Sequence, residues 1–204
     1  MCWSVAFMLL AGTADGQQPA ETTPRPAITG VTGPDAPPEH LLERLELCTS
    51  CHGADGIPVH PEAPIINGQH EGYVYFQLRD YKQGSRKHDT MSAIVADLSR
   101  QDLKDLAAFY AKQPWPRTQQ RAQEGDELRA ETAAASGLCK ECHLGGYLGD
   151  GTVPRLSGQL QSYLDRTMKD FKTKERGNNP AMSSLLGTYP DEDLEAIARY
   201  LGAY

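Results

Sequence analysis

The feature that most constrains this chain is that it repeats itself. Residues 38–112 lie over residues 122–204 at an offset of 90–91 positions. Cys48-Thr49-Ser50-Cys51-His52 matches Cys139-Lys140-Glu141-Cys142-His143, and Pro64-Ile65-Ile66-Asn67-Gly68-Gln69 matches Pro154-Arg155-Leu156-Ser157-Gly158-Gln159. Tyr73, Tyr81-Lys82 and Arg86 match Tyr163, Phe171-Lys172 and Arg176, and Met91 matches Met182. A unit of this size, given twice, folds as two copies of one small domain. The first spans 38–112 and the second 122–204, joined by a linker at 113–121, where Pro114 and Pro116 stop the preceding helix.

Both copies read as helical. Leu103, Leu106, Ala107 and Tyr110 recur at i, i+3, i+4 and i+7, after Ser99 with Asp102 three residues on, the pattern of a capping box. Leu194, Ile197, Ala198 and Leu201 repeat that stripe after Pro190 and the acidic first turn Asp191, Glu192, Asp193. Leu41, Leu42 and Leu45 predict a helix leading into the first cysteine motif, and Leu128 with Ala133–Ala135 predicts its counterpart. No window alternates long enough for a sheet, so the fold class is all-α, two tandem domains related by an internal repeat.

Residues 2–14 carry no charge and form an apolar run shorter than the ~18–20 residues a spanning helix needs. That run predicts a secretory signal over residues 1–16, cleaved near Ala14–Gln17 and taking Cys2 with it, although the usual basic start is missing. Residues 17–37 are Pro-rich without hydrophobic periodicity and predict a flexible tether. The formal charge is −7 with a pI near 5.3 and no basic block, which argues against nucleic acid or an anionic membrane surface as partner. Residues 122–204 are the more acidic part, with nine basic against thirteen acidic residues, compared with ten against eleven over residues 38–121. It is the face expected to meet a basic partner patch.

Cys-x-x-Cys-His is the attachment signature of c-type haem. Two thiols three positions apart reach two vinyl groups of one porphyrin edge, and the next residue presents an imidazole to the iron. The cofactor expected is therefore two covalently bound haem c groups, through Cys48 and Cys51 with His52, and through Cys139 and Cys142 with His143. A zinc site would need its two Cys pairs about 15–20 residues apart, whereas 87 residues separate Cys51 from Cys139. A thioredoxin-like pair expects a βαβ context. Disulfides within each pair would leave the matched histidines unexplained.

The sixth ligand decides between carrier and enzyme. His52 to Met91 is 39 residues and His143 to Met182 is also 39, although the repeat slips by one residue elsewhere. That equality favours both thioethers as ligands over simple core filling, which is how Met168, matched by Leu78, is read. The Pro64 and Pro154 carbonyls are candidate acceptors for the second ring nitrogen of each histidine. Arg86 and Arg176 are read either as partners of haem propionates or as solvated surface residues. His40, His60, His70 and His88 have no histidine counterpart and are expected at the surface, His88 being the one rival to Met91.

These motifs together, all given twice, resemble the class I dihaem cytochromes of the cytochrome c4 type over residues 38–204. The resemblance implies two cytochrome c folds about a pseudo-twofold axis, with His52 and Met91 at one iron and His143 and Met182 at the other. It also implies a periplasmic electron carrier rather than an enzyme, working with a respiratory complex, a dehydrogenase or a terminal oxidase. Such a shuttle is either diffusible or loosely membrane-associated. The alternatives are a haem subunit of a multi-subunit dehydrogenase, for example one oxidising sulfur compounds, and a dihaem peroxidase. Two six-coordinate irons argue against the last.

Overall fold

The structure is a computed structural model, and it describes Met1 and residues 36–204. The expected signal segment, Cys2 and nearly all of the expected tether fall outside the described residues. A short 3-10 turn at Glu39–Leu41 leads into α1 (Leu42–His52), followed by α2 (Glu71–Gln83), α3 (Asp89–Val95) and α4 (Arg100–Lys112). The second half contains α5 (Asp126–Ser136), α6 (Cys139–His143), α7 (Gln161–Thr173), α8 (Pro180–Leu186) and α9 (Asp191–Ala203). The only β pairing among the described residues is one isolated bridge, Asp150 with Val153. None of these helices is long and apolar enough to cross a membrane.

The helices repeat as the sequence does: α2 matches α7, α3 matches α8 and α4 matches α9. The repeat slips by one residue twice, once between α6 and Pro154, where the second half is one residue shorter, and once between α7 and α8, at Gly177–Asn178, where it is one longer. Ser99 and Asp102 close a capping box at the start of α4. The stripes on α4 and α9 are buried, Leu106 and Leu194 almost completely. Each such side chain contributes about 1.5–3 kcal/mol. Leu41 and Leu45 join Leu103, Leu106 and Tyr110 in the core of the first half. In the second half Ala130, Ala133 and Ala134 of α5 meet Leu194, Ile197 and Ala198 of α9, and Met168 packs at the edge of that cluster. Leu128, expected on the apolar face, is instead exposed, and the buried apolar face of α5 is made of Ala130, Ala133 and Ala134.

Residues 113–121, the expected linker, contact both halves. Gly68 N–H donates to Tyr110 O, and Gly158 N–H donates to Leu201 O, both at 2.8 Å. A Cβ on Gly158 would come within 3.0 Å of the Trp115 ring nitrogen, and one on Gly68 within 2.8 Å of the Trp115 amide. Only glycine tolerates that approach at the positive φ both adopt. Arg155 lies over the Trp115 ring at 4.4 Å. The Gln120 side chain ties the linker to the second half through Gln159 O, Gly202 O and Gln161 N–H.

Candidate functional site

Cys48 and Cys51 lie in the last turns of α1, and a spacing of three puts both thiols on one face of the helix. His52 closes α1 and is buried. Its Nδ1 lies 2.8 Å from the Pro64 carbonyl oxygen. A carbonyl can only accept, so Nδ1 carries the proton and Nε2 keeps its lone pair. The second half repeats this at 3.0 Å between His143 Nδ1 and Pro154 O. Burial lowers both imidazole pKa values, the proline carbonyls offsetting only part of the effect, so both rings are held neutral. A neutral imidazole with a fixed tautomer is the form that binds a metal ion.

No disulfide joins the four cysteines of the two motifs, so all four sulfurs are available for thioether links. Met91 sits in the first turn of α3 and Met182 in the first turn of α8. The His88 side chain caps α3 by accepting from Met91 N–H at 3.3 Å, and the Asn179 side chain caps α8 by accepting from Met182 N–H at 3.2 Å. His88 thus does have a counterpart in the second half, an asparagine in the same capping role. The acceptor it uses is the ring nitrogen that a ligand role at that atom would need. His40 and His60 are exposed as expected, His40 reaching Asp102. His70 departs from that expectation: it is half-buried, with Nε2 on the Leu148 carbonyl of the other half at 2.8 Å.

Both histidines, both methionines and all four cysteines line one continuous cavity of about 900 Å³ that runs through the two halves. This is at the upper end of small-molecule sites, about 300–1,000 Å³. Its walls are largely apolar, with Leu106 and Ile94 in the first half and Leu164 and Leu185 in the second. Tyr110 and Tyr147 are among its lining residues, and their buried hydroxyls have no nitrogen or oxygen partner. Among the described residues no three His, Cys, Asp or Glu side chains converge to hold a bare metal ion. Paired thiols, a tautomer-fixed imidazole and a neutral thioether against an apolar wall fit a c-type haem in each half.

Where the two halves meet, the cavity wall is polar. Arg86 and Arg176 are buried rather than solvated. Arg86 stacks on Tyr81 of its own half at 4.6 Å and donates to the Tyr163 hydroxyl of the other at 3.0 Å. Arg176 stacks on Phe171 at 4.3 Å and donates to the Tyr73 hydroxyl at 3.1 Å. Gln77 Oε1 accepts from Arg86, Arg176 and Asn178 at 2.9–3.0 Å. Burial pushes the Tyr163 phenol up, but the two guanidiniums outweigh it and bring its pKa down to about 7. Sequence reasoning missed these crossed pairs. The recurrence of Tyr73 as Tyr163 was a signal, but nothing in the repeat says that each tyrosine serves the opposite arginine.

The cytochrome c family pattern matches residues 41–113. The chain is similar to cytochrome c4 of Pseudomonas aeruginosa, 32% identical over 168 residues covering 78% of this chain and 84% of that protein. It is also similar to the thiosulfate dehydrogenase electron acceptor of Thiomonas intermedia, 32% identical, with 82% of this chain and 81% of that one covered. The reduced recombinant cytochrome c4 of Pseudomonas stutzeri has a similar structure, with a TM-score of 0.71 at 27% identity. That match covers 79% of this chain and 95% of the other.

Proposed function

This chain belongs to the cytochrome c4 family of dihaem electron carriers, and from that premise we propose which of its residues hold the two haems and which partners it serves. It carries two covalently bound haem c groups and passes single electrons between redox proteins. The proposed ligands are His52 with Met91 at one iron and His143 with Met182 at the other. Cys48 and Cys51, and Cys139 and Cys142, form the thioether links. One observation carries this assignment. Each half presents a neutral, proline-fixed imidazole and the thioether of a capped short helix to one cavity, at the same spacing of 39 residues.

Bound haem supplies a centre that gains and loses one electron without bond making or breaking. The chain's residues do the rest. The proline carbonyls fix each imidazole and make it a stronger donor. The neutral thioethers favour the reduced state and raise the potential. The apolar walls keep water out. Each guanidinium has five N–H donors, so Arg86 and Arg176 keep their tyrosine and Gln77 contacts with donors to spare for propionates.

The carrier is placed in the periplasm, the compartment the uncharged run at residues 2–14 suggests, as a diffusible or loosely membrane-associated shuttle. Its donors and acceptors are a respiratory complex or dehydrogenase and a terminal oxidase. The likeness to the Thiomonas intermedia protein favours a second reading, acceptor of electrons from a thiosulfate dehydrogenase. Ligation is tested in the ferric holoprotein, where each of Met91→Ala and Met182→Ala should remove about half of the sulfur-to-iron charge-transfer band. A band that survives either change refutes that half's assignment. The partner is tested by stopped flow: rapid reduction by thiosulfate dehydrogenase with thiosulfate supports the second reading, and reduction only by a quinol-oxidising complex supports the first.

A further inference from the structure

The two histidine–proline contacts do not end at the prolines. The peptide group that joins Pro64 to Ile65 offers its oxygen to His52 Nδ1–H and its N–H to Gln159 Oε1, at 2.8 Å each, and Gln159 belongs to the other half. Gln159 Nε2 then donates to Ile65 O at 2.9 Å, closing a two-bond clasp. The arrangement is reciprocal. The peptide joining Pro154 to Arg155 accepts from His143 at 3.0 Å and donates to Gln69 Oε1 at 2.9 Å, while Gln69 Nε2 donates to Arg155 O at 3.0 Å. Each glutamine oxygen also accepts the N–H at the head of its own half's helix, His70 before α2 and Leu160 before α7, at 2.9–3.0 Å. Gln69 and Gln159 are 4% and 3% exposed and Ile65 is 1% exposed, so water does not compete for the Gln159–Ile65 bonds, while Arg155 on the other side is half-buried.

We propose that Gln69 and Gln159 are crossed positioning residues, each tuning the proximal histidine of the opposite half through one shared peptide group. The inference rests on the assignment of His52 and His143 as iron ligands. A peptide that donates its N–H carries more negative charge on its oxygen, and hydrogen bonds in such a chain strengthen one another in a low-dielectric interior. The oxygen then pulls harder on the imidazole Nδ1–H, which makes Nε2 a stronger donor and favours ferric iron. Gln159 therefore lowers the potential of the haem in the first half, and Gln69 that of the haem in the second. The signal crosses between halves through two hydrogen bonds, with no haem-to-haem contact required.

The test uses the full dihaem protein, with each haem assigned by the NMR shifts of its methyl groups in the Met91→Ala and Met182→Ala forms. Gln159→Met removes the clasp at similar volume. It should raise the first-half potential and shift the His52 ring signals, leaving the second half unchanged. Gln69→Met should do the reverse. Gln159→Glu measured at about pH 4, below the ordinary glutamate value and with burial favouring the neutral acid, keeps both contacts to Ile65 and should restore the original first-half potential. Equal shifts at both haems, a shift in the glutamine's own half, or no shift in a folded variant would overturn the proposal. Failure of the ligand assignment reads differently, as a charge-transfer band insensitive to the methionine changes in the protein with both glutamines intact.

Discussion

The residue after each proximal histidine differs between the halves. Gly53 stands at φ 80°, ψ 137°, where a Cβ would meet the Ile57 carbonyl oxygen at 1.9 Å, so the first half accepts only glycine there. The second half makes the same turn with Leu144 at φ 60°, ψ 177°, a region that is essentially glycine-only. Such strain costs on the order of 1–3 kcal/mol, and glycine's extra freedom in the unfolded chain returns about 0.4–1 of it. Leu144 is also 43% exposed, so little packing is lost with its side chain. Leu144→Gly should therefore stabilise the holoprotein by about 1 kcal/mol in denaturant unfolding; a variant that is less stable would show that this leucine relaxes the turn in some other way. The proposed ligand set is read at this scale, because CxxCH and the equal 39-residue spacings are local patterns. The capping role of His88 is not, because a histidine near Met91 reads as a rival ligand until its partner, the Met91 N–H, is seen.

Among the elements, the pairing of α5 with α9 has the clearest electrostatic component. The buried Asp126 carboxylate takes Nε and a terminal nitrogen of Arg199, each at 2.8 Å, and accepts the Gln123 N–H at 2.7 Å. The Arg199 hydrogen bond, outweighing burial, holds the Asp126 carboxyl below its ordinary pKa. A depressed folded pKa gives stability that is present above the unfolded carboxyl's value and lost as the pH falls through the folded one. Asp126→Asn should then cost about 2 kcal/mol at neutral pH, with the two stability curves converging as the pH falls below about 4. A constant gap across that range would mean the loss is packing, not charge. The helices α4 and α9 could be read from their stripes and their starts. The break between α5 and α6 could not. Tyr189 Oη donates to Ala133 O at 2.8 Å, and a Cβ on Gly137 would come within 2.1 Å of that hydroxyl, so a residue 52 positions away requires glycine at the end of the helix. Helical periodicity reports a face, not the group that later fills the space beside it.

For the whole molecule, the repeat predicts two domains, and the structure adds that each domain completes the other. Arg86 needs Tyr163, Arg176 needs Tyr73, and each glutamine clasps the opposite proline loop. These contacts join residues 77 to 103 positions apart, beyond the reach of any local pattern. The second of the two one-residue slips, which the sequence shows only as an irregularity, delivers Asn178. Its Nδ2 donates to Gln77 Oε1 at 3.0 Å and to Asp80 Oδ2 at 2.8 Å, and its Oδ1 accepts from Arg176 Nε at 3.1 Å. An interface this polar and this buried holds the halves in one relation, which suits a carrier whose two centres share a cavity. The account's central claim is that one chain holds two equivalent one-electron centres and performs no chemistry beyond passing those electrons. Coulometric titration of the purified holoprotein against a small mediator measures that directly. Two electrons per chain, taken up and returned reversibly, are the predicted result, whereas one electron per chain, or charge consumed without return, would contradict it.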